Sequence, residues 1–247
     1  MDWSAIIIGI LGGFVAGIIN TISGSGSVIT LSLMALFQIP ADIANGSNRL
    51  GILVQGVKSS HSFRKKRKLK LEDNWKTILF CLIGAIAGTF TAVKISSESF
   101  NVVLGFIFSA LLFIVIFEPQ KRLKESKNIA QYIPWLMLPI GFYGGFIQVA
   151  TGIFILTVLH VLTGKSIKEI NPLKVFIIML FNIPALLIFW WNDKINWELG
   201  IALAIGQFFG AILGVRINST KKNIEPFLRY LLITLMVLAI LKFWGFL

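Results

Sequence analysis

The 247-residue sequence predicts an all-α integral membrane protein of two inverted repeats, each a glycine-broken, re-entrant helical unit followed by three transmembrane helices. Composition is the first observation: 56% of residues are hydrophobic and 14% charged, with a mean hydropathy of +0.82. A soluble domain carries about 25% charged residues. The second is that apolar runs long enough to cross a hydrocarbon core about 30 Å thick recur along the chain, as at 75–93. The third is a duplicated segment. Gly13-Phe14-Val15-Ala16-Gly17-Ile18-Ile19-Asn20-Thr21-Ile22-Ser23-Gly24 returns 128 positions later as Gly141-Phe142-Tyr143-Gly144-Gly145-Phe146-Ile147-Gln148-Val149-Ala150-Thr151-Gly152. Gly-interrupted apolar segments at matching positions of two halves point to a transporter's binding site.

The elements follow in order. The block 5–37 is too long for one spanning helix at 1.5 Å per residue. Divided at Ser23-Gly24-Ser25-Gly26-Ser27, it leaves a second piece too short to cross, which fits a broken helix or re-entrant hairpin. Pro40 and Asp42 mark the start of a helix over 43–63. Spans at 75–93 and 100–117 complete the first repeat, 1–118. A charged cytoplasmic linker, 119–131, leads to the second repeat, 132–247. There the broken block is 134–162, with its break at Thr151-Gly152-Ile153, followed by spans at 171–191, 197–215 and 226–246.

Loop charge selects the re-entrant form. If each broken unit enters and leaves on one face, the basic stretches 64–76, 121–127, 165–174 and 216–229 share one side. They hold 18 of the 23 Lys and Arg residues. If each unit crossed once, that asymmetry would largely vanish. The positive-inside rule then makes the basic loops cytoplasmic and puts both termini outside, in a multi-pass cell-membrane protein.

The net charge of +12 does not indicate nucleic-acid binding, because the basic residues lie in short loops between spans. Cys81 stands alone in an apolar run, so neither a disulfide nor a cysteine metal site is expected. Asp2 replaces a basic leader region, and no cleavable signal peptide is expected. No P-loop and no His–carboxylate cluster is present, so an enzyme, a cofactor and direct use of ATP are not expected. All eleven acidic residues fall in expected loops or at span ends. Cation and proton pumps place carboxylates in mid-membrane; this interior offers donors suited to an anion.

The candidate site begins at the first break. Ser23, Ser25 and Ser27 offer hydroxyls, while Gly24 and Gly26 allow close backbone approach. A helix starting near Ser27 directs its positive end into the membrane. The second break contributes Thr151 and Gly152, and Asn20 and Gln148 occupy equivalent positions just before the breaks. The helices that follow carry polar stripes: Asn45, Asn48, Arg49, Gln55 and Ser59 in one, Asn171, Lys174 and Asn182 in the other. Arg49 and Lys174 are read as charge attractors for the substrate. The competing reading makes the small residues a packing surface and the amides interhelical bridges. His61 is expected at an interface, and His160 in packing.

The stretch from Gly13 to Ser27 resembles the TauE/SafE (TSUP) family of sulfite and organosulfonate transporters. Gly13, Gly17, Gly24 and Gly26 match its glycine-rich motif, and Gly141, Gly145 and Gly152 match the second copy. The family's consecutive glycines are here Ser25-Gly26-Ser27, and the proline that commonly follows is absent from both copies. The resemblance implies movement of small sulfur-containing anions such as sulfite or sulfoacetate. The expected function is therefore secondary transport of such an anion by alternating access. An anion channel and a non-transporting membrane accessory protein are the alternatives. The expected partners are the anion and membrane lipid, with a homo-oligomer left open.

Overall fold

The computed structural model describes residues 3–65, 74–117, 131–218 and 225–246. Among these the chain forms ten α-helices and no strand. The first half holds α1 (Trp3–Ile22), α2 (Ser27–Leu36), α3 (Ala41–Lys65), α4 (Trp75–Lys94) and α5 (Ser97–Phe117). The second holds α6 (Ile133–Phe146), α7 (Thr151–Thr163), α8 (Ile167–Trp191), α9 (Trp197–Asn218) and α10 (Glu225–Phe243). Local chemistry sets several boundaries. Pro40 precedes α3, whose first turn carries Asp42. Ser166 and Glu169 form a capping box at the start of α8. Gly164, at φ 65°, closes α7 in the left-handed conformation glycine tolerates.

Five described helices, α1, α4, α5, α8 and α9, are long and apolar enough to cross a membrane. The all-α membrane class expected from composition is what the structure has. α3, expected as a span, is continuous over 25 residues but too polar to count among the five. It tolerates that polarity because Asn45, Asn48, Arg49, Gln55 and Ser59 are all buried against neighbouring helices. The linker 119–130 lies outside the described residues, as does most of the basic stretch 64–76.

The duplicated glycines form two closely packed helix pairs, each joining one half to the other. A side chain on Gly13 or Gly17 of α1 would strike the backbone of Leu203 or Gln207 of α9. One on Gly206 or Gly210 would strike Ile10 or Phe14. Contacts therefore advance together along α1 and α9, which run in the same direction. The other pair repeats this: Gly141 and Gly145 of α6 meet Cys81 and Ala85 of α4, while Gly84 and Gly88 meet Leu138 and Phe142. With no hydrophobic force between helices in lipid, such backbone approach lets dispersion hold them together.

α3 also runs with α9, since Gly46 meets Lys194 and Gly51 meets Gln207. α2 runs against α1, with Gly26 beside Ala16 and Gly12 beside Leu33. The chain thus goes in along α1, returns along α2 and goes in again along α3. Phe63, Val175 and Val215 cluster where α3 ends, α8 begins and α9 ends. At the opposite end Asp42 pairs with Lys194 and accepts from Ser97 Oγ at 2.6 Å, joining the starts of α3 and α5 to the α8–α9 turn.

The second break lies four residues earlier than expected. α6 ends at Phe146, residues 147–150 leave the helix, and Thr151 opens α7. The first break matched expectation, with α1 ending at Ile22 and α2 starting at Ser27. The difference is conformational. The first break turns on Gly24 at φ 85°, whereas the second turns on Gln148 at φ 67° and Ala150 at φ 55°. The sequence placed the break at Thr151-Gly152-Ile153, where Gly152 aligns with Gly24. Instead it lies within α7, against the partner break.

Candidate functional site

The two breaks touch. A methyl group on Gly152 would lie 2.5 Å from the Gly24 Cα, so only two glycines permit this contact. Beside it is a small cavity lined by Asn20, Thr21, Gly24, Ser27, Gln55 and Gln148, with Ile52, Gly56, Val175 and Ile178 completing the wall. About 10 Å³ is open to the centre of a water molecule, room for roughly one water.

Its polar lining is incompletely partnered. Asn20 Oδ1 accepts from the Ser27 backbone N–H at 3.2 Å and caps α2, leaving Asn20 Nδ2 without a partner. Gln148 is 2% exposed and neither atom of its amide has a partner; Gln55 Oε1 also lacks one. Buried polar atoms without partners are uncommon in native proteins. Gln148 is in addition held in a left-handed backbone that non-glycine residues rarely adopt. Strain of this kind gathers at functional sites.

Arg49 and Lys174 do not line the cavity. Arg49 donates from Nη1 to Gly144 O at 2.8 Å and from Nη2 to Gly145 O at 2.7 Å and Asn45 Oδ1 at 3.1 Å. Asn45 Nδ2 donates to Phe146 O at 2.8 Å. In the other half Lys174 Nζ donates to Asn20 O and Asn171 Nδ2 to Thr21 O, at 2.8 and 2.9 Å. Each post-break helix therefore caps the broken helix of the opposite half with one amide and one cation. The carbonyls left at a helix C-terminus require such donors, and a cation suits the negative end of the helix dipole. Arg49 and Lys174, read from the sequence as charge attractors, thus donate to helix-end carbonyls and, for Arg49, to Asn45 Oδ1, while Arg49 Nε has no partner.

The remaining candidates divide. Ser23 Oγ donates to Ile19 O and shares a hydrogen bond with Ser25 Oγ, so both hydroxyls are engaged within the break. Gly26 packs against Ala16 and Asn20. Asn48 faces α9, accepting from Gln207 Nε2 at 3.3 Å. Asn182 donates to Ile178 O of its own helix. Thr151 Oγ1 donates to Gln148 O at 2.9 Å and steadies the second break. His160 Nδ1 pairs with Lys165 O at the exposed end of α7.

Sequence reasoning missed Thr21, which lines the cavity and bonds Ser59, and Gln207 and Thr89. Thr89 Oγ1 adds a donor to Gly145 O at 3.1 Å. The signal for Gln207 was a single amide inside the apolar run 197–215. No cavity residue is acidic. No metal-ligating cluster occurs among the described residues.

Comparison with known proteins agrees with this architecture. A probable membrane transporter protein of Haemophilus influenzae is 26% identical over 212 residues, covering 85% of this chain and 83% of its own. Probable membrane transporter protein ORF9 of a Sinorhizobium species is 26% identical, covering 87% and 84%. YfcA of Escherichia coli K12, also a probable membrane transporter, is 24% identical, covering 85% and 80%. No solved structure gives a significant match. The family profile described as sulfite exporter TauE/SafE matches residues 9–243, nearly the whole chain, and the protein belongs to that family.

Proposed function

We propose that the protein is a secondary transporter of a small anion, sulfite or an organosulfonate such as sulfoacetate, working by alternating access around the cavity where the breaks meet. The observation that carries this reading is the set of buried amides of Asn20, Gln55 and Gln148, each with at least one atom lacking a partner, around a cavity with no acidic lining. Substrate enters as side chains shift, since the space now holds only about one water.

Arg49 and Lys174 act on the anion through their field. Two positive charges stand against about half a negative charge at each capped helix end, leaving roughly one net positive charge. The described residues place no carboxylate beside them. In a water-poor interior such a field reaches further than it does in solvent.

The re-entrant, inverted plan is supported by the reciprocal caps and by the pairing of α1 with α9 and α6 with α4. Rocking the α1–α9 pair against the α4–α6 pair would expose the cavity to each side in turn. With the described ends Arg64, Lys65, Lys165, Lys168 and Arg216 on the cytoplasmic face, both termini lie outside.

The test is transport by purified protein in liposomes, comparing sulfite, methanesulfonate and acetate. Saturable uptake that prefers the sulfur oxyanions is expected. Conductance that does not saturate would make the protein a channel, and absence of binding and flux for all three would overturn the reading.

A further inference from the structure

The cavity's hydrogen-bonding inventory is mixed, and this restricts the protonation state of what fills it. Asn20 must present its NH₂ group to the cavity, because its oxygen is committed to the Ser27 N–H. Gln148 has both amide atoms without partners. Whichever way that amide is turned, it offers one donor group and one carbonyl acceptor. Gln55 Oε1 is a further acceptor without a partner. All three side chains are more than nine-tenths buried, at 6%, 2% and 5% exposure.

An oxyanion with no proton satisfies the donors but leaves the Gln148 carbonyl unpaired and facing negative charge. An anion that keeps one O–H satisfies both kinds of group. Resting on the transport reading above, we propose that the site takes its substrate as a hydrogen-bond-donating monoanion: hydrogensulfite rather than sulfite dianion, or a sulfonate bearing a hydroxyl. A proton then crosses with each hydrogensulfite without any titrating residue of the protein. The donor contact strengthens binding by about tenfold, the usual consequence of not stranding a buried acceptor.

The cavity wall itself, ten residues, carries no titratable side chain; the nearest titratable group is Lys174, bonded to Asn20 O, and its charge bears on all three probes alike. The wall is built from α1, α2, α3, α8 and the second break. On these, Lys174 is bonded to Asn20 O, Arg49 to Gly144 O and Gly145 O, and Asp42 to Lys194. Lys58 lies over the Phe208 ring, and His61, Arg64, Lys65, Lys168 and Glu169 are exposed at the helix ends.

The experiment is equilibrium binding to the purified full chain in detergent, with sulfite, ethanesulfonate and 2-hydroxyethanesulfonate as probes across a pH series. Sulfite affinity should fall as pH rises through the ionisation of hydrogensulfite. The two sulfonates stay monoanionic, so their common profile reports any change in the Lys174 charge; sulfite affinity should fall more steeply than either, and the hydroxylated sulfonate should bind about tenfold tighter. Gln148→Met should abolish that tenfold preference while ethanesulfonate still binds. Equal affinity for the two sulfonates in the unsubstituted protein, or a pH profile shared by all three probes, overturns the proposal and leaves anion transport standing. Failure of every probe to bind overturns both.

Discussion

Gln148 and Ala150 occupy left-handed backbone conformations at φ 67° and 55°. For non-glycine residues this costs about 1–2 kcal/mol each. Replacing either with glycine removes the penalty, but only Gln148 loses a side chain that lines the cavity. Ala150→Gly should therefore raise thermal stability by about 1 kcal/mol with anion binding unchanged. Gln148→Gly should raise stability similarly while weakening binding, measured by unfolding in detergent and by titration. Arg49 and Lys174 cap carbonyls and, in the proposed transport cycle, also supply positive field. Lys174→Gln should lower stability by about 1–3 kcal/mol, the cost of a stranded buried carbonyl, and weaken anion binding as well. Unchanged anion affinity in a folded Lys174→Gln protein would remove the field argument.

Among helices, glycine works mainly as a packing residue. The pairs Gly13/Gly17 with Gly206/Gly210, and Gly141/Gly145 with Gly84/Gly88, allow backbones to meet across the two halves. Gly206→Leu should separate α1 from α9, because its side chain would enter the Ile10 and Phe14 backbone. A loss of about 1–3 kcal/mol or more, read from thermal unfolding, is the expected size for forced overpacking. Gly152→Ala should push the breaks apart and reduce transport more than it reduces stability, since it acts at the cavity edge. The reciprocal caps bind the same helices at their inner ends. Each broken helix is therefore held by the opposite half along its length and at its end.

At the scale of the whole molecule, the re-entrant plan makes a topological prediction. Single cysteines near Lys68 and Lys221, introduced after removal of Cys81, should label from the same side of intact vesicles. Labelling from opposite sides would exclude the plan in which both broken units turn back. With Lys174 buried in α8, segregation of the other 17 residues of the basic stretches to one side is what makes the expected side the cytoplasmic one.

The sequence by itself determined the helical membrane class, because apolar length and scarce charge admit little else. It also determined that the chain is doubled and broken, since the Gly13–Gly24 and Gly141–Gly152 segments repeat in register. Asn20, Gly24, Ser27, Gln55 and Gln148, which line the cavity, were legible as candidates because each is a small or polar group in an apolar run. Tertiary structure decided which polar residues remain for a ligand. Arg49, Lys174, Asn45 and Asn171 carry the same sequence signal as Gln148, yet their donors meet carbonyls exposed by helix ends more than 90 positions away. Composition cannot reveal such a partner, because a hydrogen bond belongs to the pair. The displaced second break has a similar cause. Gly152 meets Gly24 of the opposite half from inside α7, and the turn falls one helical turn upstream at Gln148 and Ala150.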